Sequence, residues 1–413
     1  MELCIGFIIA LLLLSSCGKD PALIDPIMAP CESDAVEIAY KEKQAEAVQD
    51  FGVRIFQESV KAESDKNTVL SPISIYSALL LAYEASACDT KKQIMSTLGI
   101  GEGNLNVDAS IEYLDFMSSI LPSESDVTFS YANAFFSDPN RIQTHDFYVS
   151  KLEQYYNAEV ASLDFAQSSA VDAVNTWAEE NTNGKIKEVL QEISGDEIAF
   201  LLNAIYYSGE WLSGFNEQNT MDRPFQLEDD AIINVPTMTR DAVSNVFEDD
   251  NYKMVDMDIK GGEYAVSFLT PSDQTHIDDF LLRDNFLDDY QQLLTQLQSE
   301  RIMLSIPKFE LEGKQQLKEL LITLGMTDAF NQGSANFSGM GTAGGNIFLT
   351  RVIHDTYIKV DEKGIEGAAV TTIGVGANSV PLVVEFNKPF VFLLRHKETG
   401  VPIFMGKVEN PVK

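Results

Sequence analysis

Apolar and small residues recur at a spacing of three to four positions near the start of the folded part of this sequence. Val48, Phe51, Ile55 and Ser59 share one face of a helix, so an amphipathic helix is predicted there. The segment 67–81, NTVLSPISIYSALLL, begins with a short β-like stretch. Its Ser-Pro pair then predicts the start of a second helix, because proline in the first turn loses no hydrogen bond.

The last third of the chain is rich in β-branched and aromatic residues. Strands are predicted within 254–270, 301–309, 346–361 and 381–394. Helical and strand patterns alternate irregularly rather than as repeated strand–helix–strand units, which favours an α+β fold with large sheets. No internal repeat and no Pro- or Gly-rich linker divides the chain after residue 40, so one large domain is predicted.

A short apolar run at 3–14 precedes the sequence Leu-Ser-Ser-Cys, which ends at Cys17. The run has 12 residues, whereas a membrane-spanning helix needs about 20, so it is interpreted as a signal segment. Leu-Ser-Ser-Cys resembles the lipobox of bacterial lipoproteins, in which the signal is removed and the cysteine is acylated. This predicts a signal peptide over 1–16, a lipidated tether over 17–42 and a folded domain over 43–413. Lipid would anchor the exported protein to the bacterial outer membrane or the cell surface. The alternative is a plain secretory signal with an incidental cysteine.

The chain has 413 residues, with 29 Lys and Arg against 63 Asp and Glu, a formal charge of −34. A field of this sign repels phosphate backbones, so no nucleic-acid partner is expected. The four cysteines stand at 4, 17, 31 and 88, without the paired spacing of a zinc site, and no structural metal is predicted. Their spacing leaves open whether Cys31 and Cys88 form a disulfide.

Sequence signatures of catalysis are missing. The four histidines, at 145, 276, 354 and 396, are far apart, and no HExxH or GxSxG sequence is present. The sequence GMGTAG at 339–344 matches the pattern GxGxxG but follows a loop, whereas a dinucleotide site needs a preceding strand and a following helix. The acidic runs 228–230 and 248–250 lack the spacing of a calcium loop and are interpreted as solvated turns. We therefore expect neither an enzyme nor a bound cofactor.

The segment 360–372, VDEKGIEGAAVTT, resembles the hinge of the serpins, a family of serine protease inhibitors. Eight further segments resemble serpin sequences in the same order along the chain. They are NTVLSPISIYSAL (67–79), YANAFF (131–136), YYNAEV (155–160), WAEENTNGKI (177–186), LLNAIYYSGEW (201–211), LSIPKF (304–309), FNKPFVF (386–392) and FMGKVENP (404–411). The resemblance implies the α+β serpin fold in a monomer, with three β-sheets, about nine helices and an exposed reactive-centre loop.

By this resemblance, the hinge of the reactive-centre loop comprises Glu362, Gly364, Ile365, Glu366, Gly367, Ala368 and Ala369. In an extended strand Ile365, Gly367 and Ala369 fall on one face, and Glu366 and Ala368 fall on the other. The first face carries no charge and can enter a core, while Glu366 is expected to stay in water. The hinge therefore has the pattern of a strand that lacks a sheet.

The resemblance further implies a suicide-substrate mechanism. A protease cuts the loop, remains attached as an acyl-enzyme and is carried along as the loop inserts into the central sheet. Counting 16 residues from Glu362, or nine back from Asn387, puts the reactive bond between Asn378 and Ser379. Val375 and Ala377 are the alternative reactive residues. The alternative function is a non-inhibitory binding protein on the same fold.

The residues around the reactive bond restrict the class of protease. Val375 and Ala377 suit the shallow apolar pocket of elastase-like serine proteases, whereas Asn378 suits an asparaginyl cysteine endopeptidase. No Lys or Arg occurs from 364 to 387. A trypsin-like protease, whose pocket needs a cation, is therefore not expected to be inhibited.

Serpins hold a buried polar cluster, the shutter, beneath the opening strands of the central sheet. The matching residues here are Asn67, Ser71, Ser74, Asn203 and His354. Buried polar groups must be paired, so such a cluster can switch between two paired arrangements. His354 taken alone has the pattern of an ordinary core histidine.

Two further features follow from the resemblance. Trp211 matches the position beneath the top of the central sheet, where it also serves as a core aromatic. The helical segment 89–100 has only Lys91 and Lys92 as basic residues. It lacks the cationic stripe on which some serpins bind heparin, so no polyanion cofactor is expected.

Overall fold

The computed structural model describes residues 41–100, 109–122, 126–272, 276–366 and 381–412. The α-helices are α1 (Lys41–Ala62), α2 (Pro72–Ala85), α3 (Cys88–Leu98), α4 (Ala109–Ile120), α5 (Asp146–Tyr156), α6 (Ser168–Asn181), α7 (Ile277–Leu281), α8 (Phe286–Gln296) and α9 (Lys318–Thr323). The first strands are β1 (Thr68–Leu70), β2 (Val127–Ser137), β3 (Ile142–Thr144), β4 (Ala158–Ser162), β5 (Ala199–Glu210), β6 (Met221–Gln226), β7 (Ile232–Glu248), β8 (Tyr252–Asp258) and β9 (Tyr264–Pro271). The remaining strands are β10 (Gln298–Pro307), β11 (Phe309–Gln316), β12 (Gly341–Ala343), β13 (Ile353–Val360), β14 (Gly364–Ile365), β15 (Leu382–Glu385), β16 (Phe390–His396) and β17 (Pro402–Val408).

Within these ranges the strands form three sheets and nine α-helices surround them, which confirms the predicted α+β architecture. The central sheet has the strand order β11-β13-β14-β5-β2-β4. A second sheet of nine strands follows the order β1-β17-β16-β9-β8-β7-β10-β15, with β6 beside β7. β12 and β3 make a two-stranded sheet.

The central sheet is covered by apolar side chains on both faces. On its inner face α2 packs against β5 and contributes Tyr76 and Leu80 to the main core. On its outer face a second apolar cluster joins Phe136 of β2 and Phe200 of β5 to Trp177 of α6. The rings of Phe136 and Trp177 meet edge to face, with centroids 6.2 Å apart. Any strand that is added to this sheet must therefore fit between two packed layers.

The start of α2 confirms the prediction made from its Ser-Pro pair. Pro72 is the first helical residue, and Ser71 caps the helix by accepting a hydrogen bond from the Ser74 amide to its Oγ at 3.4 Å. Extended backbone at Ser71 allows its side chain to fold back onto the first turn. The cap places Ser71 at the inner face of the central sheet, where it becomes part of the site.

The predicted strand over 346–361 is wrong in its first half, because regular pairing begins only at Ile353. Residues 346–352 run as irregular backbone. Their amides and carbonyls form isolated hydrogen bonds, Leu349 N to Ala329 O and Leu317 N to Val352 O, both at 2.8 Å. The segment 346–352 therefore forms no regular strand.

Two features concern the chain outside the central sheet. Cys88, at the start of α3, is disulfide-bonded, and the other three cysteines lie outside the described residues. Among the described helices, none has both the length and the apolar character required to cross a membrane.

Candidate functional site

Among the described residues, the central sheet is incomplete between β5 and β13. The two-residue strand β14 lies between them at one end, where Ile365 pairs with Val360 of β13 and with Gly209 of β5. Beyond Ile365, no described strand occupies this space. We call the space between β5 and β13 beyond Ile365 the slot. A cavity of about 330 Å³ lies there, lined among others by Leu202, Trp177 and Ile353.

The start of the hinge is held by an ion pair and a hydrogen bond. Lys308 Nζ lies 3.0 Å from Glu362 Oε2, and Thr220 Oγ1 donates to Glu362 Oε1 at 2.7 Å. Burial opposes ionisation of Glu362, but the hydrogen bonds from Thr220 and Lys308 outweigh it and lower the pKa of Glu362. The carboxylate is thus charged and fixed at neutral pH.

Trp211 at the end of β5 fixes the neighbouring backbone. Its Nε1 donates to Asp361 O at 3.0 Å, and its amide donates to Lys363 O at 2.9 Å. The ring is 3% exposed. Trp211 therefore serves as a core aromatic and as the support beneath the turn that leads into β14.

Gly364 and Ile365 are seated in the sheet. A Cβ at Gly364 would overlap Gly209 O, so only glycine allows β14 to approach β5 this closely. Ile365 is 1% exposed, on the inner face of the sheet. The hinge therefore has its first inward residue in place while the loop is intact.

The expectation that Glu366 stays in water is wrong. Its side chain is 8% exposed and Lys185 Nζ lies 2.6 Å from its Oε1, while Ser208 Oγ donates to its backbone oxygen at 3.1 Å. The reason is that the segment following α6 lies over the outer face of the sheet, so this face is a covered surface.

His354, Ser71 and Ser74 come together at the inner face of the sheet. The Ser71 amide donates to His354 Nε2 at 2.9 Å, and His354 is 5% exposed. Burial lowers the pKa of His354 to about 3. The ring is therefore neutral, and Nε2 accepts while the proton is carried by Nδ1.

The other two predicted shutter residues have different partners. Asn67 Oδ1 accepts from the amides of Glu409 and Asn410 at 2.7 and 2.8 Å, which ties β1 to the end of the chain. Asn203 Nδ2 donates to Asn133 Oδ1 at 2.9 Å. Asn203 and His354 stand on opposite sides of the slot.

Sequence reasoning did not single out the polar residues behind Asn203. Asn133 Nδ2 donates to Tyr131 Oη at 2.7 Å, and Tyr113 Oη donates to Ser77 Oγ at 2.7 Å. Tyr131 and Tyr113 are also joined through their hydroxyls. The available signal was the segment YANAFF, which contains both Tyr131 and Asn133.

Asp355 is a further residue that sequence reasoning did not select. It lines the cavity, and both carboxylate oxygens are buried without a hydrogen-bond partner among the described residues. Burial raises the pKa of Asp355 to about 6, against the opposing charge of Lys314. The slot thus has a carboxylate on its wall that is costly to ionise.

Several predicted residues lie outside the described part of the chain, namely Cys17, Gly367, Ala368, Ala369, Val375, Ala377, Asn378 and Ser379. The two lysines of α3 already have partners within it. Lys92 Nζ lies 3.1 Å from Asp89, and Lys91 Nζ lies 4.4 Å from the centre of the Tyr83 ring. Among the described residues, no group of three or more His, Cys, Asp or Glu is placed to hold a metal ion.

Comparison with known proteins gives one consistent result. The family model described as serpin (serine protease inhibitor) matches residues 46–411. Alpha-1-antitrypsin 1-4 of Mus musculus is 29% identical, over 88% of this chain and 87% of its own. An uncharacterized serpin-like protein of Methanosarcina acetivorans is 30% identical, over 86% of this chain and 83% of its own.

Solved structures show the same fold. Native tengpin, a thermophilic serpin, superposes with a TM-score of 0.80 at 25% identity, covering 92% of this chain and 97% of its own. Human thyroxine-binding globulin complexed with thyroxine superposes with a TM-score of 0.82 at 23% identity, covering 91% of this chain and 100% of its own.

Proposed function

Because the chain belongs to the serpin family of protease inhibitors, we propose that it inhibits proteases by covalent trapping, in which the cut loop inserts between β5 and β13. The observation that carries the proposal is β14, whose residue Ile365 already pairs with both strands at the mouth of the slot. Gly364 permits the required close approach, and the ion pair of Glu362 with Lys308 anchors the start of the hinge.

The register of β14 specifies where an inserted loop would lie. If the antiparallel pairing of Ile365 with Val360 and Gly209 continues without a bulge, Thr371 comes opposite His354 on one side and Asn203 on the other. Thr371 has the same parity as Ile365 and would face the inner side. Its hydroxyl could pair there with the neutral His354 ring or with the Asn203 amide, and loop insertion would add a partner to a cluster that is now divided by the slot.

The chemical step belongs to the protease. Its nucleophile attacks the carbonyl carbon of Asn378, the peptide bond to Ser379 breaks, and the amino group of Ser379 leaves with the carboxyl-terminal peptide. The 16 residues from Glu362 to Asn378 span about 50 Å as an added strand. Movement over this distance would pull the acylated protease from one end of the sheet to the other and distort its active site before water can release it.

The chemistry of the loop favours an elastase-like serine protease, with a cysteine protease that cuts after Asn378 as the second target class. Ala377 and Val375 offer small apolar side chains to a shallow pocket. Lys and Arg are missing from 364 to 387, so the proposal excludes trypsin-like targets. The lysines of α3 are engaged with Asp89 and the Tyr83 ring, which supports inhibition without a polyanion cofactor.

The test is incubation with a panel of proteases, followed by a denaturing gel and mass measurement of the released peptide. An adduct that survives denaturation, with a released peptide of 35 residues for cleavage after Asn378 or 36 after Ala377, is the expected result. Cleavage of the loop by every protease without an adduct would contradict trapping. In that case unchanged thermal stability after cleavage would instead support a non-inhibitory binding protein.

We also propose that the inhibitor acts at a membrane surface, as a monomer anchored through acylated Cys17. The proposal rests on the lipobox-like sequence Leu-Ser-Ser-Cys after an apolar run of 12 residues. The segment 18–40, which contains three prolines, would serve as a spacer between the lipid and α1.

A further inference from the structure

The described pairing of the hinge ends at Ile365, and Glu366 follows it. The backbone of this residue has φ of +54°, a conformation that residues other than glycine rarely adopt. Its backbone oxygen accepts a hydrogen bond from Ser208 Oγ at 3.1 Å, and its carboxylate is held by Lys185 at 2.6 Å. The conformation of Glu366, the last described residue of the hinge, is therefore set by specific contacts.

The pairing of β14 with β5 and β13 shows which position of an inserted strand these contacts obstruct. Continued pairing would put Glu366 itself beside Ser208 and Lys359, and the next outward residue, Ala368, beside Tyr206 and Tyr357. The Glu366 side chain reaches forward to that second position. Burial raises the pKa of Tyr206 on β5 and of Tyr357 on β13, and the Glu366 carboxylate contributes to both shifts, in keeping with its ion pair to Lys185 between these two strands.

Lys185 completes the obstruction from the other wall. Its Nζ lies 4.7 Å from the centre of the Tyr357 ring, so the cation lies over β13, while Ser208 of β5 binds the backbone oxygen of its ion-pair partner Glu366. Asn183 Nδ2, two residues before Lys185, donates to Tyr206 Oη at 3.2 Å. The connection after α6 is thus fastened to both walls across the place that Ala368 would take.

We propose that Lys185 and Glu366 form a latch, defined as this ion pair across the outer side of the slot, which must open before the loop can insert beyond Ile365. This inference rests on the proposed function. Opening the latch requires Glu366 to leave its φ of +54° for extended backbone and to withdraw its carboxylate from Tyr206. A latch that opens slowly favours the protease, because the acyl-enzyme gains time to hydrolyse. Lys185 and Glu366 therefore set the division between trapping and mere cleavage.

The test measures entry into the slot without any protease. A fluorescent synthetic peptide with the sequence of residues 368–379 is mixed with the intact protein, and its association rate is recorded for the parent chain, Lys185→Gln, Glu366→Gln and the double variant. Lys187→Gln, an exposed lysine two positions away, is the matched control. A second peptide, which begins at Val370, lacks Ala368, the residue that would meet the latch, and serves as the control peptide.

The expected result is an increase of about fivefold in the association rate of the longer peptide for either single variant, the scale of one partly exposed ion pair. The double variant should gain no more than one single variant, because both changes remove the same interaction. Lys187→Gln and the shorter peptide should show no change.

Two other outcomes would separate a failure of the latch from a failure of the proposed function. Equal rates for the parent chain and both single variants would overturn the latch while leaving slot insertion intact. Failure of both peptides to bind any variant would contradict the proposed function itself, because the slot would then not accept a strand. Circular dichroism melts of each variant check that the substitutions leave the fold in place.

Discussion

Replacement of Ile365 by Arg is the sharpest perturbation of the hinge. Ile365 is 1% exposed and is the one residue of β14 with an apolar side chain. Withdrawing it from the core forfeits about 2–3 kcal/mol of burial free energy. Keeping an unpaired guanidinium in its place would cost several kcal/mol more, so in the variant the hinge should leave the slot.

The two states of the protein respond differently to this change. In the uncut protein the loss in free energy of unfolding has an upper limit, because the two-residue strand β14 can move into water and lose only its own contacts. A loss of about 3 kcal/mol lowers the Tm by several degrees. In the cut protein the whole inserted strand depends on passage of residue 365, and the full cost of a buried guanidinium applies. Ile365→Val, which removes one methylene, is the matched control and should cost about 1 kcal/mol.

The assay is the shift in Tm when a protease that is not trapped cuts the loop. The parent chain and Ile365→Val should both show a large rise in Tm after cleavage, because the added strand completes the central sheet. Ile365→Arg should show little or no rise, and it should be turned over as a substrate by any protease that the parent chain traps. A rise in the Arg variant equal to that of the parent chain would refute insertion through this hinge.

Three further predictions follow from other residues. At pH 7.5, Asp355→Asn should raise the free energy of unfolding by about 1–2 kcal/mol, because a carboxylate whose pKa is raised to about 6 is costly to ionise in the folded protein. In denaturant titrations this gain should disappear as the pH falls through about 6 toward 4. An equal gain at pH 4 would contradict the prediction. Cys17→Ala should abolish incorporation of labelled palmitate during expression, and continued labelling would refute the anchor. Trypsin should form no adduct that survives a denaturing gel, since Lys and Arg are missing from 364 to 387; a stable trypsin complex would overturn the assignment of target class.

Local chemistry made part of this structure predictable. The Ser-Pro pair predicted the start of α2 because a cap and a first-turn proline act within four residues. The hinge was identified by its resemblance to the serpin hinge sequence, and its small residues after Glu362 added the pattern of a strand that cannot build its own core. The position of Ile365 on the inward face followed from simple alternation.

Contacts between distant segments were not predictable in this way. Lys185 and Glu366 are 181 positions apart, and no local pattern indicates that the segment after α6 would cover the outer face of the sheet. The segment 346–352, with its apolar residues at 347–349, suggested a strand, but its backbone hydrogen bonds go to single distant residues such as Ala329 rather than to a neighbouring strand. The partner of Asn203 depends on the register of β2 against β5, which places Asn133 opposite it.

Amide hydrogen exchange of the intact and the loop-cut protein is the most direct test of the central claim. In the intact chain, β5 and β13 are joined through β14 at one end only, so peptides from 199–206 and 353–358 should exchange faster than a fully paired strand. After the loop is cut, both should become strongly protected along their length, while residues 133–137 of β2, which are paired with β5 on one side and β4 on the other, should not change. Unaltered exchange in β5 and β13 after complete cleavage would contradict insertion of the loop between them.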